Sequence, residues 1–303
     1  MNNSKIWLLY ALITTLFWGV WGAFSGLTAG HMPDTIIYII WALTMIIPAI
    51  FVLKMINWKL QHDSRSIYLG FVIGLLGAIG QMVLFYTLTI GPAYLIFPII
   101  ALSPMVTIIL SLILLKERTT KLGALGVVLA LISLQLFEYS SGDSDNIHGI
   151  LWFFLALSIS AAWGIQAYFM KISNETMNAE SIFFYMMVTS LLLIPLAIWM
   201  TDFSAFIDWS AYKVSLAASI QILNAIGALC LVYAFRYGKA IVVSPMTNAG
   251  APLITAIISL VALGIIPAPT KILGIIFAVT AAMLLAIEPV DEKKAPVPEK
   301  YDS

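Results

Sequence analysis

The sequence predicts an all-α integral membrane protein of ten transmembrane helices, built as two inverted five-helix repeats. Three observations predict it: a composition too apolar for a water-facing surface, ten apolar stretches separated by charges or turn signals, and a pattern that recurs after nearly 150 residues. Of the 303 residues, 61% are hydrophobic and 10% charged, whereas a soluble domain carries about 25% charged residues. Too little polar surface remains to hold such a chain in water.

The spans follow from the charges. A crossing needs about 20 mostly apolar residues, and Asp, Glu, Lys and Arg are costly inside it. Charged residues and histidines leave nine neutral stretches, at 6–30, 35–53, 66–115, 122–137, 149–170, 181–201, 214–235, 240–270 and 272–287. The third is fifty residues long and carries the turn signal Gly91-Pro92 near its middle, so it divides in two. The stretches at 122–137 and 272–287 are short, and Lys121, Glu138, Lys271 and Glu288 are placed at their interfaces, where they snorkel. Segment length and the lack of alternation select helices, since lipid permits only helices or closed barrels. The run Ile6–Gly30 is too long for a signal-peptide core and has no small-x-small cleavage site, so it is read as a retained first helix.

With the N-terminus inside, thirteen of the fifteen Lys and Arg residues fall on the inner side and only Lys213 and Lys271 on the outer. This positive-inside bias places both termini in the cytoplasm, and the chain is expected as a multi-pass protein of the cell (plasma, or inner) membrane. The segment from Pro289 onward (PVDEKKAPVPEKYDS) is polar and Pro-rich, and is expected to be a disordered cytosolic tail over 289–303.

The halves repeat one pattern. Trp18-Gly19 in the first helix is answered by Trp163-Gly164 in the sixth, at an offset of 145. GAIGQMVLFYTLTIGPA (77–93) aligns with NAIGALCLVYAFRYGKA (224–240) at an offset of 147. Pro98 then answers Pro245, and Pro104 answers Pro252 after a one-residue insertion. These offsets set a first repeat at 1–143 and a second at 144–288. Five crossings is an odd number, so the second repeat enters from the opposite side, the architecture of many alternating-access transporters.

Ten helices as five plus five, with Trp-Gly in the first helix of each half, resemble the drug/metabolite transporter superfamily, specifically its EamA-type exporters and permeases. Leu114-Leu115-Lys116-Glu117-Arg118 is similar to the family's Leu-Gly-Glu ending before helix five, whereas Gly264-Ile265-Ile266-Pro267 departs from it. The resemblance covers residues 5 to about 288. It implies a central cavity lined by helices one, three and four and their counterparts six, eight and nine, with helices five and ten peripheral. It also implies secondary transport of amino acids, sugars or other metabolites.

Candidate site residues are neutral. An unmatched amide in hydrocarbon costs several kcal/mol, so Gln and Asn in apolar helices need partners or a polar cavity. Gln221 and Asn224 share a face of helix eight at i and i+3. Gln81, Gln166 and Asn248 lie in helices three, six and nine. The amides can line a cavity for a small polar or zwitterionic solute, or act as interhelical glue. Trp18 with Trp21, and Trp163 with Gln166, occupy equivalent faces of helices one and six and can stack on a solute or pack on their glycines. Pro98, Pro104, Pro245 and Pro252 are candidate hinges, because each frees a backbone carbonyl; Ser103 can add a hydroxyl.

Catalytic, cofactor and metal sites are not expected. There is no nucleotide-binding loop, HExxH or nucleophile elbow, and His31, His62 and His148 fall in loops. Cys230, the single cysteine, excludes an internal disulfide. Zero net charge gives no pull toward nucleic acid. No acid lies in positions 6–30, where small multidrug exporters carry a buried glutamate, which favours facilitated exchange over proton-coupled drug export. The expected function is secondary transport, by alternating access, of amino acids or related small polar solutes, with export leading. Sugar uptake and lipid scrambling are the alternatives, the partners are the solute and the bilayer, and the chain is expected to be a monomer or homodimer.

Overall fold

The computed structural model describes residues 5–25, 27, 32–90, 96, 99–138, 150–263 and 268–287, side chains at 85, 88, 89, 252, 256, 259, 260, 262, 263 and 286 excepted. Gly91-Pro92, Pro98, His31, His148, Gly264–Pro267, Glu288 and the tail from Pro289 lie outside the described residues. Twelve helices are described and no strand: α1 (Ile6–Ser25), α2 (Asp34–Thr44), α3 (Ile46–Met55), α4 (Ser64–Ile90), α5 (Ser103–Ile113), α6 (Lys121–Glu138), α7 (Leu151–Ser173), α8 (Ala179–Leu192), α9 (Ile194–Met200), α10 (Ala211–Tyr237), α11 (Ala240–Leu263) and α12 (Pro269–Ala286). Among the described residues, six spans are long and apolar enough to cross a membrane: Ile6–Ser25, Asp34–Met55, Ser64–Leu84, Leu151–Ser173, Ala179–Met200 and Ala211–Tyr237. Shorter apolar helices (α5, α6, α11, α12) stand where the sequence predicts the fourth, fifth, ninth and tenth crossings.

Local chemistry sets the helix starts. Asp63 accepts the Ser66 N–H at 3.2 Å before α4, and Thr120 Oγ1 accepts the Gly123 N–H at 3.0 Å before α6. Asn178 and Ser210 cap α8 and α10 in the same way. Bonds from Ser66 hold the exposed Asp63 carboxyl below the usual carboxylate range. Two spans are broken at one matched place. α2 gives way to α3 at Met45, just before Pro48, and α8 gives way to α9 at Leu193, just before Pro195. Each proline lacks an N–H and clashes with the preceding turn. The two stand 147 residues apart, the offset of the repeat.

The packing interleaves the halves. α1 lies against α10 and α11, while α7 lies against α4 and α5, so the first helix of each half packs on the third and fourth spans of the other. α6 and α12 pair with each other and with α11. The outer faces are apolar: Leu122, Leu125, Val128 and Ile132 make an exposed stripe along α6, and Ile113 and Val261 are 66% and 79% exposed. Such patches on a soluble protein would drive association; here they are the face a bilayer covers.

Candidate functional site

Two crossover joints of matching chemistry organise the interior. At the first, Trp18 on α1 lies across Gly227 on α10, where an added Cβ would come within 2.4 Å of the Trp18 Cδ1. Its indole N–H donates to the Asn224 carbonyl at 3.2 Å. At the second, Trp163 on α7 lies across Gly80 on α4, where a Cβ would be 2.4 Å from the Trp163 Nε1, and donates to the Gly77 carbonyl at 3.4 Å. The following glycines complete each joint. A Cβ on Gly19 would meet Ile254 at 2.3 Å, and one on Gly164 would meet Val106 at 2.4 Å, so only glycine allows these helices to close. The exposed carbonyls are then bonded: Thr255 Oγ1 donates to Gly19 at 2.9 Å, and Thr107 Oγ1 to Gly164 at 3.1 Å. Thr14 adds a bond to the Gly227 carbonyl at 3.1 Å.

Around the first joint the structure gathers a tryptophan–amide cluster. Trp41 on α2 donates its indole N–H to Asn224 Oδ1 at 3.0 Å, and Trp21 donates to Gln221 Oε1 at 3.2 Å. An indole can only donate, so these contacts turn both amide oxygens toward tryptophan and the amide NH₂ groups away. Neither Gln221 Nε2 nor Asn224 Nδ2 is hydrogen-bonded among the described residues. Gln221 is only 4% exposed, Asn224 more so. The cluster therefore offers four N–H donors, two per amide, next to three aromatic faces.

The remaining candidates are distributed. Gln166 donates to the Ile73 carbonyl at 3.0 Å, a bond between α7 and α4, and Asn248 donates to Ser244 one turn back on its own helix at 2.9 Å. Gln81, half-buried on α4, makes no hydrogen bond among the described residues. Ser103 is buried, with its carbonyl near Gly164. The prolines differ in setting. Pro104 stands in the first turn of α5, where a missing N–H costs nothing, whereas Pro245 and Pro252 fall inside the continuous α11.

Sequence reasoning passed over Trp41, Thr107, Thr255 and the pair Pro48/Pro195. A signal for the threonines exists: Pro104-Met105-Val106-Thr107 and Pro252-Leu253-Ile254-Thr255 are the same Pro-x-x-Thr motif at the repeat offset.

At the end of the molecule where α7 finishes and α11 begins, polar bonds lock the helices. Lys171 Nζ donates to the carbonyls of Phe235 and Gly238 at 3.0 and 2.6 Å, and Asn174 Nδ2 reaches the Val232 carbonyl at 3.0 Å. Arg236 donates to the Met177 carbonyl at 2.9 Å, and Tyr233 donates its hydroxyl to Glu180. Glu117, 7% exposed, crosses between halves: its carboxylate accepts the backbone N–H groups of Ala240 and Ile241 at 3.2 and 3.0 Å, capping α11. Lys116 beside it has a φ of 54°, a left-handed conformation that favours glycine. No group of His, Cys, Asp and Glu able to hold a metal ion is found among the described residues.

Comparisons with known proteins agree with this geometry. The model of the EamA-like transporter family matches twice, over residues 5–138 and 150–287. An uncharacterized protein of Methanocaldococcus jannaschii is 26% identical over 134 residues, which is 97% of that protein but 44% of this chain. That relative is thus the length of one repeat. A solved crystal structure superposes with a TM-score of 0.75 at 14% identity, over 91% of this chain and 94% of its own, which shows a shared fold.

Proposed function

Because the chain belongs to the EamA-like transporter family, we propose that it exports small polar metabolites, amino acids or related solutes, by alternating access. The family makes it a membrane transporter of the drug/metabolite type and points to a protein that performs no chemistry on its cargo. The observation that carries the finer reading is the pairing of the joints. Each half ties its first helix to the other half through a Trp–carbonyl and a matched Thr–Gly bond, to which the first joint adds Thr14–Gly227. Two sets of like bonds give the inward-open and outward-open states similar energies, since an exchange of conformations between the halves exchanges the sets.

In this reading the solute sits at the tryptophan–amide cluster. The NH₂ groups of Gln221 and Asn224, unbonded among the described residues, are left to donate to a solute, and an acceptor there replaces what water would otherwise supply. A carboxylate or carbonyl supplies such acceptors, and Trp18, Trp21 and Trp41 provide apolar walls for the rest of the molecule. Gln81, Ser103, Trp163, Gln166 and Asn248 extend the lining, and Pro98, Pro104, Pro245 and Pro252 serve as hinge positions. The chain crosses the membrane ten times as two inverted repeats, with its Lys- and Arg-rich face and both termini in the cytoplasm.

Untargeted profiling of medium and cytosol tests the proposal in cells that overexpress the wild type or a Gln221→Ala/Asn224→Ala variant at equal membrane abundance. Carboxylate-bearing metabolites should leave the cytosol only with the wild type. A sugar shift instead would replace the substrate class, and no shift under several nutrient conditions would sink the transport reading. Reporter fusions at each terminus test the topology, and an outside C-terminus would reject it.

A further inference from the structure

A lateral groove of about 470 Å³ lies between α1, α3 and α10, away from the tryptophan–amide cluster. Its floor is the stripe Ile222, Ile226, Leu229, Cys230 and Tyr233 of α10, and one wall carries Tyr10 of α1. Spacings of three and four residues put that stripe on one helix face, and Ser215 and Ser219 continue it as exposed positions. The opposite wall, Ile47, Phe51 and Met55 of α3, is itself exposed on the apolar outer surface, with Phe51 at 65%. The groove therefore opens sideways, into the layer a bilayer would fill.

A polar solute has little to bond there. The lining is almost wholly apolar, and the Tyr233 hydroxyl is already donated to Glu180. Its dimensions fit a lipid chain. The step from Ile222 to Tyr233 climbs about 16 Å at the helical rise of ~1.5 Å per residue, close to half of the ~30 Å hydrocarbon core. Three charged residues adjoin this lining, the Glu180 carboxylate that accepts the Tyr233 hydroxyl and two lysines. Lys54, beside Met55, and Lys5, one residue before α1, are exposed and form no ion pair among the described residues.

We propose that an anionic phospholipid of the leaflet on the Lys-rich face lodges one acyl chain in this groove, with its phosphate between Lys5 and Lys54. The chain covers apolar surface that two diverging helices leave open, and the lysines select the headgroup. Bound there, the lipid braces the face of α10 opposite Gln221 and Asn224.

Native mass spectrometry of protein taken from vesicles of equal phosphatidylglycerol and phosphatidylcholine tests this. The wild type should retain one phospholipid, favouring phosphatidylglycerol by about five-fold per lysine, the factor for a cation close to an anionic surface. Lys5→Ala/Lys54→Ala should keep a lipid but lose the preference, and Ile226→Trp, which fills the groove, should lose the lipid. Equal retention of both lipids by the wild type, or undiminished retention by Ile226→Trp, overturns the proposal. A measurement on the wild type alone guards against misfolding of the tryptophan variant: phosphatidylglycerol with a photoreactive acyl chain should label 47–55 and 222–233. Labelling spread evenly over the exposed faces of α1, α5 and α6 would mean ordinary boundary lipid and refute the site.

Discussion

Thr255 on α11 donates its hydroxyl to the carbonyl of Gly19 on α1, and the same bond recurs between Thr107 on α5 and Gly164 on α7. A glycine bares its carbonyl to a neighbouring helix, and a threonine three residues after a proline reaches it. Helix-to-helix bonds of this kind are worth about 0.6 to 1.7 kcal/mol in membranes. Thr255→Val and Thr107→Val should each lose about that much, while Thr→Ser at either place keeps the bond. Thermal unfolding in detergent reads the difference, and unshifted midpoints for both valine variants would mean that the contacts contribute nothing.

Gly227→Ala and Gly80→Ala should destabilise more. Each new methyl would fall 2.4 Å from a tryptophan ring atom, and forced overpacking typically costs about 1–3 kcal/mol. Trp18→Phe should partly rescue Gly227→Ala, because the smaller ring leaves room, and should not rescue Gly80→Ala. Rescue of both would show that the effect is not local.

The amide cluster makes a charge-specific prediction. Asn224→Asp retains an oxygen for the Trp41 indole but replaces the two amide donors with a carboxylate acceptor. Transport of carboxylate-bearing solutes should then fall by at least about ten-fold, the consequence of losing ~1.4 kcal/mol of binding. Trp41→Phe should raise KM with less effect on maximal rate, since the amide persists but is no longer oriented. Efflux from preloaded vesicles measures both, and transport by Asn224→Asp at the wild-type level would rule the cluster out as the solute site.

Opposite signs are expected at neighbouring positions of the cap on α11. Glu117→Ala leaves the Ala240 and Ile241 N–H groups without their acceptor and should cost about 1–2 kcal/mol. Lys116→Gly relieves a left-handed backbone that costs an L-residue about 1–2 kcal/mol, so it should be neutral or stabilising. Guanidine-free thermal melts of the two single variants suffice, and destabilisation by Lys116→Gly would show that its side chain does more than its backbone costs.

Much of the architecture was legible because hydropathy and duplication are properties of the chain itself. Apolar length and charge spacing located the six long apolar spans and the shorter apolar helices, and the offset between Trp18-Gly19 and Trp163-Gly164 exposed the repeat before any contact was known. The site was legible only in part. Gln221 and Asn224 were identifiable because amides are conspicuous in apolar helices, but nothing in the sequence marks Trp41, whose role follows from the contact of α2 with α10. The matched prolines 104 and 252 suggested like hinges, yet one begins α5 while the other lies within α11. Whether a helix starts or continues at a proline depends on the packing around it.

By itself, then, the sequence determined that this chain enters a membrane, as helices, in two related halves, because the cost of burying charge and bare backbone in lipid depends on composition and length alone. Tertiary structure decided which half each first helix would hold. It also decided that Gln166 and Asn248 would spend amide N–H groups on backbone carbonyls while Gln221 and Asn224 keep theirs unbonded among the described residues. The joints turn on distances of a few ångströms between residues 57 to 236 positions apart, and hydropathy, which sums over neighbours in the chain, carries no information on them.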